Sequence, residues 1–117
     1  MTAIPSAIRL DKSKTELHLD YEQEQYSLCA EYLRVYSPSA EVRGHGVGQE
    51  VLQVGKRTVR IVGVEAVGNY ALKIVFSDGH DSGLYDWAYL HELATTESEK
   101  WPQYLQRLTT AGASRDA

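Results

Sequence analysis

Cysteine is almost missing from this chain of 117 residues, where Cys29 stands alone. A single thiol excludes an internal disulfide framework and fits a reducing compartment. Long apolar runs are missing as well. No stretch reaches the roughly 18 apolar residues that span a bilayer, and residues 1–10 lack the apolar core of a signal peptide, so a cytoplasmic location is expected and a membrane partner is not. Basic charge is in deficit, with 12 Lys and Arg against 16 Asp and Glu and a net charge of -4. That sign is wrong for a protein built around phosphate contacts, so nucleic acid is not expected as a partner. Internal repeats and low-complexity tracts are also lacking.

What is present is ordinary for a globular protein: 43% hydrophobic and 24% charged residues in 13.1 kDa. A chain of this mass buries roughly two thirds of its surface on folding, enough for one core and one domain. Ile8, Leu10, Leu17 and Leu19 alternate on either side of Asp11-Lys12-Ser13-Lys14, which predicts a hairpin within residues 7–21. Tyr26-Ser27-Leu28 reads as a third short strand, and Tyr32, Leu33, Val35 and Tyr36 suit a brief helix over 30–36 that stops before Pro38. The breakers Pro38, Gly44, Gly46 and Gly48 predict a long irregular connection over 37–48.

Val51, Leu52 and Val54, then Gly55-Lys56, then Val59, Ile61 and Val62 suggest a second hairpin. The strongest strand signal is Val62–Val67 and Tyr70–Phe76 around Gly68-Asn69, with Tyr70, Leu72, Ile74 and Phe76 expected on one face. Ser77–His80 is a turn and Ser82–Tyr85 a returning strand. Asp86 is placed to cap a helix through about Leu93. Thr96 and Glu99 have capping-box spacing ahead of Trp101, Tyr104, Leu105 and Leu108, and Pro102 within that stripe suggests Ser98 as the real cap. Residues 109–117 are small and polar and are expected to be a disordered tail.

The most chemical-looking cluster is Asp78-Gly79-His80-Asp81. Its carboxylates and imidazole could form an acid/base or metal site, but they read first as a polar turn that needs Gly79 at positive φ. His45, His80 and His91 with Asp78 or Glu92 offer metal donors, yet their spacing matches no local ligand pattern, and no metal or other cofactor is expected. Gly44–Gln49 lacks GxGxxG and the Walker lysine, so it reads as a mobile or partner-binding loop. Cys29, between Leu28 and Ala30, reads as a small hydrophobe. Arg34 beside Ser37 and Ser39 suits an anion or a partner carboxylate, or else an ion pair. Asp78–Glu99 carries no Lys or Arg, which allows an acidic face. Most of the tyrosines and tryptophans belong to the core, with Trp87 a candidate partner anchor.

Two segments, Tyr32–Val42 and Asn69–Trp87, resemble the domain found at the N-terminus of gamma-butyrobetaine hydroxylase, which also occurs alone in bacteria with unknown function. The likeness spans about Ile8 to Leu93. In hydroxylase-type members it implies a structural zinc held by a Cys-x-Cys-x-x-Cys cluster and a later histidine. Here those positions correspond to Ser37, Ser39 and Val42, and only His80 remains, so the resemblance implies a lost zinc site. The oxygenase chemistry belongs to a separate, larger domain. Related domains appended to P-loop ATPases of iron–sulfur assembly imply an accessory module.

The expected architecture is α+β: one domain over 1–108, a small, mostly antiparallel sheet packed with helices. The expected function is a non-catalytic protein-interaction or accessory module, with Arg34, Ser37, Ser39, His45, Asp78, His80, Asp81 and Trp87 as candidate partner-binding residues. A link to metal-cofactor or iron–sulfur protein maturation follows from the resemblance alone. The alternative is a small metal-binding protein or enzyme using Asp78, His80 and Asp81.

Overall fold

The computed structural model describes residues 3–44 and 48–116. Its first sheet is organised by the polar turn after Leu10. The Asp11 carboxylate accepts hydrogen bonds from the Ser13 hydroxyl and from the Glu16 and Thr15 backbone N–H groups, which hold its pKa down at about 2. Strands β1 (Ala7–Leu10), β2 (Glu16–Asp20) and β3 (Gln25–Cys29) then pair antiparallel in that order. Ile8 lies opposite Leu19 and Leu10 opposite Leu17, and the alternation buries Leu17 and Leu19 completely.

A second antiparallel sheet follows in the order β4 (Ile61–Val67), β5 (Ala71–Phe76) and β6 (Leu84–Asp86). Leu72, Ile74 and Phe76 share its buried face, while Tyr70 sits exposed at the turn, outside the strand. The hairpin expected across Gly55-Lys56 does not form, because residues 51–57 find backbone partners elsewhere. Val51 N–H donates to the Val42 carbonyl, and the N–H groups of Gly55 and Arg57 donate to the Ser114 and Arg115 carbonyls.

Helix α1 (Ala30–Val35) is buried at every residue. Its first turn is capped by Cys29, whose Sγ accepts from Tyr32 N–H at 3.4 Å, so the cysteine has a capping role beyond filling space. A short turn of helix, α2 (Ala40–Arg43), interrupts the segment read as irregular, with Ser39 Oγ accepting from Glu41 N–H at 3.1 Å. Helix α3 (Trp87–Thr95) starts on the Asp86 carboxylate, which accepts from Tyr89 N–H at 2.8 Å, as its sequence position predicts. Helix α4 (Glu97–Ala111) departs from expectation. Thr96, not Ser98, precedes it, and the Thr96 hydroxyl donates back to the Glu92 carbonyl, so no capping box forms. Pro102 lies inside the helix and, having no N–H, forfeits the bond to the carbonyl of exposed Ser98.

The two sheets share one core. Leu17, Leu19 and Leu28 meet Ile61, Leu72, Ile74 and Phe76, with Leu33, Leu90 and Leu93 from the helices between them. Tyrosine hydroxyls tie the elements together: Tyr32 donates to the Leu93 carbonyl, Tyr36 to Lys100, Tyr85 to Leu33, Tyr89 to Tyr36 and Tyr104 to Gln53, all between 2.6 and 2.7 Å.

The segment from Thr109, read in the sequence as a tail, carries structure and contacts. Helix α4 continues to Ala111, where Gly112 at φ 65° ends it and Ala113 N–H bonds to the Leu108 carbonyl. Beyond it, the Arg115 guanidinium forks onto the buried Glu31 carboxylate at 2.8 and 2.7 Å and stacks 5.1 Å over the Trp101 ring. Replacing Arg115 with Ala strands the Glu31 carboxylate, whose side chain is 6% exposed, inside α1. We expect Arg115→Ala to cost about 2–3 kcal/mol in chemical denaturation. An unchanged midpoint would show that the tail clamp contributes nothing.

Candidate functional site

The end of α1 and the turn after β5 meet at a buried polar cluster. Gly79 adopts φ 91°, as the sequence predicts for this turn, and the Phe76–His80 backbone bonds close it. The turn drives the His80 ring inward, 3% exposed, to face Ser37. Its Nε2 lies 2.8 Å from Ser37 Oγ, and its Nδ1 lies 3.4 Å from the Glu41 carboxylate. Ser39 Oγ, also buried, pairs with Ser82 Oγ at 2.8 Å. Gly83 allows this approach: a Cβ there would fall 2.4 Å from Ser37 Oγ and 3.2 Å from Pro38 Cδ.

A charged layer lies beside the hydroxyls. Arg34 donates through Nε to Asp78 at 2.9 Å and through a second nitrogen to Gln53 at 2.9 Å, and Lys56 reaches the same Asp78 oxygen at 2.6 Å. Partial burial opposes ionisation of Asp78. The bonds from Lys56, the His80 N–H and Arg34 outweigh it and hold the carboxyl at about 2. Burial and the nearby Arg34 charge depress the His80 pKa against the pull of Glu41 and Asp78, which favours the neutral imidazole.

Ser37, His80 and Glu41 lie in the order of a hydrolase triad, but the serine is not available as a nucleophile. It is 1% exposed, wedged against Gly83, and its oxygen already accepts from Ser39 N–H at 3.3 Å. Burial likewise raises the Cys29 thiol pKa and keeps it protonated. Asp78 and Asp81 do not converge on the imidazole: Asp78 takes the His80 backbone N–H, and the exposed Asp81 lies 4.0 Å from Lys73.

Arg34, Ser37, Ser39, Asp78 and His80 are thus brought together. Trp87 sits at the opposite end of β5, its Nε1 donating to the Asn69 carbonyl. His91 packs against Tyr21 and Tyr26, apart from His80. His45 and most of the glycine-rich motif lie outside the described residues. Sequence reasoning did not single out Glu41, Gln53, Lys56, Ser82 or Gly83 for this cluster. Only Ser82-Gly83, abutting the Asp-Gly-His-Asp turn, carried a usable local signal. Beside the cluster lies a shallow cavity of about 150 Å³ walled by Val35, Val42, Val51 and Tyr89, with Arg43, Arg107 and Glu50 on its lining. The Arg43 guanidinium stacks 4.6 Å over Tyr89.

The gamma-butyrobetaine hydroxylase-like, N-terminal family matches residues 8–91, and the chain belongs to that family. One protein solved by NMR in solution is 56% identical, with a TM-score of 0.88 over 99% of this chain and 92% of the other. A second NMR structure is 45% identical, with a TM-score of 0.81 over 97% of this chain and 86% of the other. A crystal structure of a protein of unknown function from Acidithiobacillus ferrooxidans is 33% identical, with a TM-score of 0.63 over 77% of this chain and 91% of that one. No curated protein matches the chain. Among the described residues, no helix is long and apolar enough to cross a membrane.

The residues present do not fit the zinc that hydroxylase-type members hold. At the positions where the resemblance places three thiolates stand two hydroxyls and an isopropyl group, and the His80 Nε2 is hydrogen-bonded to Ser37. We expect elemental analysis to find no stoichiometric zinc in the purified protein, and to find it once Ser37, Ser39 and Val42 are all replaced by Cys. Zinc in the unaltered chain would reject this reading. The acid side gives a separate test. Because the folded pKa of Asp78 lies below its unfolded value of 3.8, its contribution is full above that value and is lost as pH falls toward about 2. Asp78→Asn should therefore flatten the loss of stability in that window, with a smaller difference from wild type at pH 2 than at pH 6, measured by thermal unfolding.

Proposed function

We propose that this chain is a non-catalytic interaction module that works in the cytoplasm, with a protein partner rather than nucleic acid or membrane. The observation that carries the reading is how the polar cluster is spent. Each group in it that could do chemistry is buried or paired in holding the α1–α2 segment against the Asp78–Ser82 turn. The surface this creates offers recognition instead. A cavity walled by Val35, Val42 and Val51 sets two arginines, Arg43 and Arg107, against a single carboxylate, Glu50, and neither arginine forms an ion pair among the described residues. A partner segment presenting an apolar side chain next to a carboxylate suits it. The family's likeness to modules appended to iron–sulfur assembly ATPases supports placing that partner in metal-cofactor protein maturation.

Crosslinked capture from the native cytoplasm, read by mass spectrometry, tests the proposal. Wild type is compared with Arg43→Ala/Arg107→Ala and with the surface control Lys12→Ala/Gln103→Ala. We expect the arginine pair to lose captured partners at least about tenfold, as removal of two charged contacts implies, while the control retains them. Equal recovery by all three folded proteins would place the surface elsewhere.

A further inference from the structure

A cavity at the other end of the core lies outside the polar cluster and shares no lining residue with it. About 340 Å³ in volume, it is formed where the β2–β3 turn meets α3 and the N-terminal segment, and its walls include Tyr21, Tyr26, His91, Glu22 and Glu24. The three rings stand nearly perpendicular to one another. Tyr21 and Tyr26 are 5.8 Å apart at 76°, Tyr21 and His91 5.2 Å apart at 72°, and Tyr26 and His91 6.4 Å apart at 86°. Three planes at such angles form an aromatic corner in the cavity wall.

The electrostatics of this corner have one sign. Two carboxylates line it, and no Lys or Arg does. The Tyr26 hydroxyl donates to the Glu24 carboxylate, which fixes that charge beside the rings. The Tyr21 hydroxyl is shut off from water and has no hydrogen-bond partner among the described residues. With no exposed surface, that oxygen is out of reach of a guest in the cavity, which meets the tyrosine through its ring. Aromatic faces attract cations through the ring quadrupole, and a weakly hydrated organic cation gives up less to enter than a metal ion or a compact inorganic ion. From this geometry we propose that the Tyr21–Tyr26–His91 corner is a binding site for a small organic ammonium compound, with the positive nitrogen against the rings and Glu22 and Glu24 balancing its charge.

The test is a titration of the isotope-labelled protein followed by NMR, at constant ionic strength. The probes are choline, ethanolamine and 3,3-dimethylbutan-1-ol, the last a neutral copy of choline in shape. Choline is expected to shift the resonances of Tyr21, Tyr26 and His91 saturably, and the neutral copy to bind at least about tenfold more weakly, the share that cation–π and carboxylate attraction would supply. Ethanolamine separates a preference for methylated ammonium from one for any ammonium. Glu22→Gln/Glu24→Gln lies on the exposed rim and is expected to fold and to weaken choline binding. Tyr26→Leu should do so more strongly. Equal binding of choline and its neutral copy, choline binding untouched by the carboxamide pair, or no saturable response to either ammonium probe would each overturn the site.

Discussion

A helix of six residues cannot sustain itself in water, since nucleation alone costs more than one turn of hydrogen bonds returns. Helix α1 nevertheless lies at the centre of the molecule, buried at every position. Burial sharpens the problem of its terminal carbonyls, which have no intrahelical donors and no solvent to turn to. The Tyr85 and Tyr89 hydroxyls meet that need by donating to the carbonyls of Leu33 and Tyr36, while Ser37 N–H serves Arg34. Burial raises the pKa of both phenols, Tyr85 most, which keeps them protonated and able to donate. Because α1 also supplies Arg34, Glu31 and the approach to Ser37, the satisfaction of this one helix positions the tail clamp, the charged layer and the polar cluster together.

The Ser37–His80 contact illustrates how differently one geometric task can be met. A structural zinc contributes on the order of 10–16 kcal/mol in small metal-folded domains, whereas a hydrogen bond contributes about 1. Two hydroxyl pairings cannot replace a metal in strength. The surrounding scaffold carries the remainder: Asp78 joins Arg34 and Lys56 into a three-membered ionic knot, and Gly83 admits the serine oxygen at close range. The clamp is therefore spread over many modest interactions, where a metal would have concentrated it at one point.

The elements most legible in the sequence are those whose pattern is local. Alternation around Leu17 and Leu19, the Gly68-Asn69 turn, Asp86 as a cap and the positive φ of Gly79 each depend on a few neighbouring residues, and each is found in place. The misread elements depend on distant partners. Residues 51–57 suggest a strand running into a turn but pair with Val42 and with residues 114–115, and Thr96 has the spacing of a capping box but turns its hydroxyl back to α3. Within the candidate site, Arg34, Ser37, Ser39, Asp78 and His80 were singled out from sequence and do assemble. Gln53 and Lys56 were not, since nothing in their neighbourhood signals an approach to Arg34 across 19 residues or to Asp78 across 22. Trp87 was carried along by its place in the motif, and strand β5 holds it away from the cluster.

The tyrosine bonds to α1 also set an order of events as the chain emerges from the ribosome. The donors and acceptors they join lie 52 to 64 residues apart. The first three strands are contiguous and can pair early. Helix α1 follows them directly in sequence yet must wait, its carbonyls hydrated, until Tyr85, Tyr89 and the carbonyl of Leu93 have been synthesised. Acquisition of the native core is thus deferred until residues 85–93 have been made. The early hairpins remain tethered to an unformed centre until α3 arrives to complete it.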